Sequence, residues 1–294
     1  MPSSSKKQEM WQYLVVPPLI EQTQRREHEE KYKSEFRINY SKARTQFVRR
    51  LLAEFLGTLI LVVAFGALSI QARQQRITVE STAVSGGFIV LALVHSLGPT
   101  SGAHFNPVVT VAFALRLVFP FIWIPFYFMS QFLGTLTAAF LLRSLFQTNE
   151  VHLATNAVDT EQVSIFDGLK WEIFLTFILV FVILQTATKA HIIGQQAALA
   201  VTGAIVFICL IGSKTSSTSL NPFRTLAPAI INSSSDQNKS LWIFLIGPSI
   251  GSILAVIFVG LLQGFRPETT SEMKLAQGTE NNITTTATEH ELLQ

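Results

Sequence analysis

The chain has 294 residues, 49% of them hydrophobic and 14% charged, where a soluble domain carries about 25% charged residues. Eleven of its 22 basic side chains fall in residues 1–50, and the chain from there to about residue 264 is a series of long apolar runs, the pattern of several membrane spans behind a polar arm. The net charge of +3 therefore points to an anionic lipid surface beside the first span rather than to nucleic acid; a single cysteine, Cys209, excludes an internal disulfide, and no Cys/His cluster suggests a metal or a cofactor.

Residues 1–47 are polar and of mixed charge and read as a flexible tail, with 20–33, dense in Glu, Arg and Gln, as the stretch suited to a short surface helix. They lack the apolar core of a cleavable signal peptide. Six spans follow, with apolar cores at about 48–70, 83–97, 118–142, 168–188, 197–212 and 241–262. Two further apolar stretches, 107–117 and 222–231, are too short to cross. Each opens on a proline directly after an asparagine; asparagine is a good N-cap, and proline suits the first helical position. Each therefore reads as a half-helix starting inside the membrane, where non-helical backbone is tolerated only against protein or water. Residues 265–294, rich in Thr, Glu and Asn, read as a disordered tail. With six spans both ends share one side, and that side holds the basic excess, so both termini are expected in the cytoplasm of a plasma-membrane protein.

The chain repeats itself. Ala53-Glu54-Phe55-Leu56-Gly57-Thr58 in the first span resembles Trp171-Glu172-Ile173-Phe174-Leu175-Thr176 in the fourth. Asn-Pro follows 52 residues after Glu54 and 49 after Glu172, and the third and sixth spans carry Gln131-x-x-Gly134 and Pro248-x-x-Gly251. Three spans per half mean that the second half enters the membrane inverted, which puts a functional site near the midplane at broken helices.

Ser101-Gly102-Ala103-His104-Phe105-Asn106-Pro107-Val108-Val109-Thr110 and Ser219-Leu220-Asn221-Pro222-Phe223-Arg224-Thr225-Leu226-Ala227-Pro228-Ala229 resemble the two signature boxes of the aquaporin (major intrinsic protein) family, over residues 48–264. That resemblance implies an all-α membrane fold: six transmembrane helices and two half-helices in an inverted 3+3 repeat, a right-handed bundle assembled as a homotetramer. It also implies a passive channel for water or small uncharged solutes such as glycerol, urea, metalloid acids or hydrogen peroxide. Half-helix N-termini offer unpaired N–H groups and partial positive charge, and two such ends facing each other oppose cations and protons. By resemblance, the amides of Asn106 and Asn221 donate to passing oxygens, the mechanism of pore selectivity for which aquaporins are the known example. The plainer alternative is that both asparagines only cap buried helices. Glu54 and Glu172 are expected to hold the box loops, with a proton relay as the alternative; His104 is expected to pack the first loop rather than bind a ligand. His95, in the second span, could face a vestibule or simply pack.

In that family the constriction positions lie 20 residues before the first box asparagine and 12 before, 3 before and 3 after the second, which here are Gly86, Cys209, Thr218 and Arg224. A charge such as Arg224 in an apolar segment is costly and usually functional, with a snorkelling arginine as the alternative. Gly86 and Cys209 imply a wide filter, similar to that of the nodulin-like plant branch that passes hydroxylated solutes. Thr225 and Ala229 match water channels, whereas Leu245 replaces their usual tryptophan. The boxes depart from the family at their third residues, usually alanine and here Val108 and Phe223. Overpacking costs about 1–3 kcal/mol, so Phe223 is expected to reshape or narrow the pore centre. It is also the best support for the alternative function, a poorly conducting structural or adhesion protein on the same fold; an inverted-repeat transporter is disfavoured by the lack of ion-coupling carboxylates beyond Glu54 and Glu172. Asn232 and Asn238 open glycosylation sequons on the expected outer side.

Overall fold

The computed structural model describes residues 17–146, 156–158, 160, 163–187, 196–232 and 240–265. Among these the structure is helical, in the order α1 (Pro17–Arg73), α2 (Val79–Ser101), α3 (Pro107–Leu115), a 3-10 turn (Phe121–Trp123), α4 (Ile124–Leu145), α5 (Ile165–Ala187), α6 (Gln196–Gly212), α7 (Pro222–Asn232) and α8 (Leu241–Gln263). The chain divides into two compact units, Met1–Arg50 and Leu51–Gln294. In the first unit the backbone is helical from Pro17, over much more of the arm than the short surface helix anticipated at 20–33. The second unit holds both Asn-Pro boxes and the helices from α2 onward.

Among the described residues, four helical segments, Arg44–Arg73, Val79–Ser101, Phe121–Leu145 and Leu241–Gln263, are long and apolar enough to cross a bilayer. Helix α5 has 23 residues and the described part of α6 has 17. The unit wears its apolar side chains outward: Ile122 is 75% exposed, Leu261 66% and Phe88 62%. Glu54, Gln131 and Glu172, by contrast, are fully enclosed. An aqueous monomer does not expose so large an apolar surface; a bilayer makes it a solvated face.

Local signals fix the helix ends. Thr78 caps α2 through its side chain, which accepts from the Ser81 amide at 3.2 Å. The helix stops at Gly102, whose φ of 91° is left-handed and whose N–H donates back to the Gly98 carbonyl at 2.9 Å, the C-terminal geometry glycine favours. The short helices α3 and α7 both start at the proline of a box.

The two halves pack alike. A Cβ built on Gly134 of α4 would lie 2.5 Å from the Phe55 carbonyl oxygen and 3.2 Å from the Leu59 nitrogen of α1. Its counterpart Gly251 in α8 would press on the Ile173 carbonyl oxygen and come within 3.0 Å of the Phe177 nitrogen of α5. Both crossings are therefore backbone against backbone, which only a missing side chain permits. The repeat glycines read from the sequence thus mark where the last helix of each half crosses its first.

Candidate functional site

The loops before the two half-helices have the same backbone. Gly102, Ala103 and Phe105 have φ of 91°, 52° and 49°; Ser217, Thr218 and Leu220 have 63°, 47° and 58°. These are the residues four, three and one before each box asparagine. Side-chain-bearing residues seldom adopt this left-handed conformation, and it persists only where surrounding structure holds it. Here the restraint is visible. The Glu54 carboxylate accepts from Ser101 Oγ at 2.7 Å, His104 N at 3.0 Å, Phe105 N at 2.8 Å and Gln131 Nε2 at 2.8 Å. Glu172 accepts from Ser219 N at 2.9 Å and Leu220 N at 3.0 Å. Each glutamate thus gathers the inward-turned amides of one loop, since a carboxylate offers about four acceptor sites.

The asparagines complete the arrangement from both sides. Asn106 Oδ1 caps α3 by accepting from Val108 N at 3.1 Å, and Asn221 Oδ1 caps α7 by accepting from Phe223 N at 3.0 Å and Arg224 N at 3.3 Å. Their Nδ2 groups cross over: Asn106 donates to the Leu220 carbonyl at 2.8 Å, and Asn221 donates to the Phe105 carbonyl at 2.9 Å. The two half-helix N-termini, 115 residues apart in sequence, are therefore tied head to head, with their partial positive charges converging on one place.

A cavity runs past that junction. Its wall includes the loop residues Ala103–Asn106 and Thr218–Asn221, the side chains of Cys209 and Arg224, and the apolar side chains Leu61, Phe65, Val90, Leu179 and Ile205. Arg224 is 7% exposed and donates from Nη1 to the carbonyls of Thr218 at 2.5 Å and Ser219 at 3.2 Å. Its Cζ lies 5.0 Å from the centroid of the Phe65 ring. The structure thus brings Cys209, Thr218 and Arg224 together on the lining.

Three candidates stand elsewhere. Gly86 is enclosed and does not form part of that wall; a Cβ on it would lie 2.8 Å from Phe65 Cε1. Val108 is buried, its carbonyl accepting from Ser252 Oγ at 2.9 Å. Phe223 turns its ring onto α4, edge-on to Phe128 and to Phe132 with centroids 5.5 Å apart in each case. Neither box side chain lines the cavity. This corrects the expectation that Phe223 narrows the pore centre: the ring follows the helix face that meets α4, and aromatic neighbours there accommodate its volume. His104 packs as the sequence suggested, stacked on Phe113 at 4.7 Å with Nδ1 3.1 Å from Thr110 Oγ1, and it also borders the cavity. His95 bonds back along its own helix to the Leu91 carbonyl, with Nδ1 at 3.1 Å, on the exposed side. Asn238 lies outside the described residues, as does the side chain of Asn232.

Two residues escaped the sequence reading. Asn156 donates to the Ser217 carbonyl at 2.8 Å and accepts from Thr225 Oγ1 at 3.2 Å, while Ser217 Oγ returns a bond to the Ala157 carbonyl at 2.7 Å. The connection between the two halves thus anchors the second loop, and nothing in its sequence announces this. Phe65 is the other. Its signal is faint but real: it stands eleven residues after Glu54, with Thr58 and Leu61 between, on one face of a helix that turns every 3.6 residues.

The family model described as "Major intrinsic protein" matches residues 41–259. Aquaporin NIP1-1 of Zea mays is 36% identical over 209 residues, covering 70% of this chain and 72% of that protein. Nodulin-26 of Glycine max is 33% identical over 210 residues, covering 70% and 75% respectively. The solved aquaglyceroporin from Plasmodium falciparum superposes with a TM-score of 0.66 over 72% of this chain and 95% of that one; at 22% identity it speaks to the fold. The chain belongs to the major intrinsic protein family, and it is a membrane channel for water and small solutes rather than an enzyme.

Proposed function

We propose that each protomer carries one pore, formed by residues 48–264, that passes water and small uncharged hydroxylated solutes down their gradients. The observation that carries the reading is the crossed pair of asparagine bonds, Asn106 to Leu220 and Asn221 to Phe105. A carboxamide has two N–H donors. One of each is spent on the opposite loop, and the other serves an oxygen passing through the cavity. A water that accepts from both asparagines at the midplane turns its own hydrogens outward on either side, so a chain of waters cannot hop protons through it; the two helix N-termini repel cations at the same point.

Cys209, Thr218 and Arg224 form the selective constriction on the outer side; Gly86, the fourth position that the family resemblance implies, stands outside that wall. Arg224 supplies hydrogen bonds and a fixed positive charge, the Thr218 backbone directs that charge, and Cys209 adds a small, weakly polar wall. Glu54 and Glu172 serve as loop anchors, because every bond they accept comes from a loop or its support. The basic excess in residues 1–50 supports cytoplasmic termini in a plasma-membrane protein, with residues 265–294 as a second cytoplasmic tail, Asn232 and Asn238 available for glycosylation outside, and four copies assembled in the bilayer as the family implies. The poorly conducting alternative loses its main support once the Phe223 ring is placed against Phe128 and Phe132.

Purified protein in liposomes tests the reading. Shrinkage and swelling in water, glycerol, urea and boric acid gradients are expected to exceed those of empty liposomes for water and at least one solute, without proton leak. Folded protein that accelerates none of them refutes it.

A further inference from the structure

The first constriction position is Gly86, and a glycine contributes no wall. The space beside it is nevertheless filled. A Cβ built there would lie 2.8 Å from Cε1 and 3.1 Å from Cζ of Phe65, well inside the roughly 3.5–4.0 Å at which carbon atoms rest against each other. The Phe65 ring and a side chain at position 86 therefore exclude one another. The same ring lies beneath Arg224, with Cζ 5.0 Å from its centroid, within reach of a cation–π contact. It is 9% exposed and shares the cavity wall with Cys209, Thr218 and Arg224.

We infer that Phe65 of α1 is a specificity-determining residue of this channel: it supplies from the first span the aromatic wall that position 86 lacks, and so sets the discrimination between water and larger hydroxylated solutes. The inference rests on the channel reading above. The ring acts in two ways. Its bulk closes the opening that Gly86 would leave. Its face also holds the guanidinium, whose Nη1 is already committed to the Thr218 and Ser219 carbonyls, so the charge stays on one side of the passage and a flat apolar surface lies beside it. A water slips past both. A polyol must offer its hydroxyls to Arg224 while its carbon edge slides along the ring, and its passage depends on how far the ring intrudes. The filter is wide by its four expected positions and narrower by its actual wall.

Stopped-flow liposome assays on the full chain measure water, glycerol and boric acid permeabilities and their ratios. Phe65→Ala is expected to raise the glycerol-to-water and boric-acid-to-water ratios about tenfold, as a modest drop in a steric barrier would. Phe65→Ala with Gly86→Phe, which moves the ring to the neighbouring helix, is expected to return both ratios toward wild type; a ring that only stabilises the fold would not show this rescue. Should Phe65→Ala protein fail to assemble, Phe65→Leu keeps most of the bulk without the flat face, and a ratio raised about threefold is expected. A conducting wild type whose ratios are unchanged by either single substitution overturns the inference alone. Failure of the double variant to reverse the shift overturns the claim that Phe65 stands in for position 86. Wild type and Phe65→Ala both indistinguishable from empty liposomes overturn the inference together with the channel reading.

Discussion

Removing the Glu54 carboxylate tests how the first loop is held. Its Oε1 accepts from Ser101 Oγ and His104 N, and its Oε2 from Phe105 N and Gln131 Nε2. Glu54→Ala orphans two buried backbone amides outright, at about 1–3 kcal/mol each, so a loss of roughly 2–6 kcal/mol follows before the side-chain donors are considered. Glu54→Gln keeps one acceptor oxygen. If its amide nitrogen takes the place of Oε2, Gln131 can turn over, since its Oε1 has no hydrogen-bond partner, and accept from it. The turn gives up the bond from Gln131 Nε2 to Thr110 and leaves Phe105 N as the one orphaned amide. The Gln variant should therefore cost about half as much as the Ala variant. At about 2–4 °C per kcal/mol for a domain of this size, the melting temperature of detergent-purified protein is expected to fall by about 5 °C for Gln and about 10 °C or more for Ala. Flux should fall in the same order, because Phe105 also presents the carbonyl that receives Asn221 Nδ2 at 2.9 Å. A Glu54→Ala protein that melts within about 2 °C of wild type, on the same scale, and conducts equally would refute the view that this carboxylate holds the loop.

Phe223→Ala is expected to leave water permeability unchanged while lowering stability by about 2 kcal/mol, below the usual range for a fully buried phenylalanine because the ring is only partly enclosed; a clear rise in flux in liposome assays would return the ring to the pore. Cys209 lines the cavity beside Arg224, so a mercurial should block the channel and Cys209→Ser should abolish the block; block that persists in the serine variant removes the thiol from the path. Gly134→Ala and Gly251→Ala each force a methyl group into opposing backbone. Each should cost about 1–3 kcal/mol, read as a lower melting temperature of similar size in both halves, and a tolerated alanine at either would deny the close helix crossing.

Much of the machine could be read from the chain because its decisive features are local and repeated. An asparagine followed by a proline specifies a helix start by capping chemistry alone. Two such starts, each about fifty residues after a glutamate buried in an apolar run, specify the inverted halves, the loops and their anchors. The family resemblance, carried over by its spacing from the two boxes, offered Cys209, Thr218 and Arg224 as constriction positions, and the fold brings all three to one cavity wall. The glycines of the third and sixth spans were visible as repeat partners, though not as the places where backbones touch.

What the sequence left open was every choice made between segments far apart in the chain. Phe223 was legible as a large residue where a small one is usual, but the direction of its ring depends on α4, whose Phe128 and Phe132 receive it. Asn156 lies in a connection without motif or periodicity, and its role exists only because the second loop folds back onto it. Gly86 was legible as an absence of bulk. A glycine states that space is available without naming its occupant, and close packing requires that something fill it. The linear chain determined the helix starts, the repeat and the buried carboxylates. Only the tertiary structure, by setting α1 beside α2 and turning Phe65 into the gap at Gly86 under Arg224, decided the shape of the cavity wall.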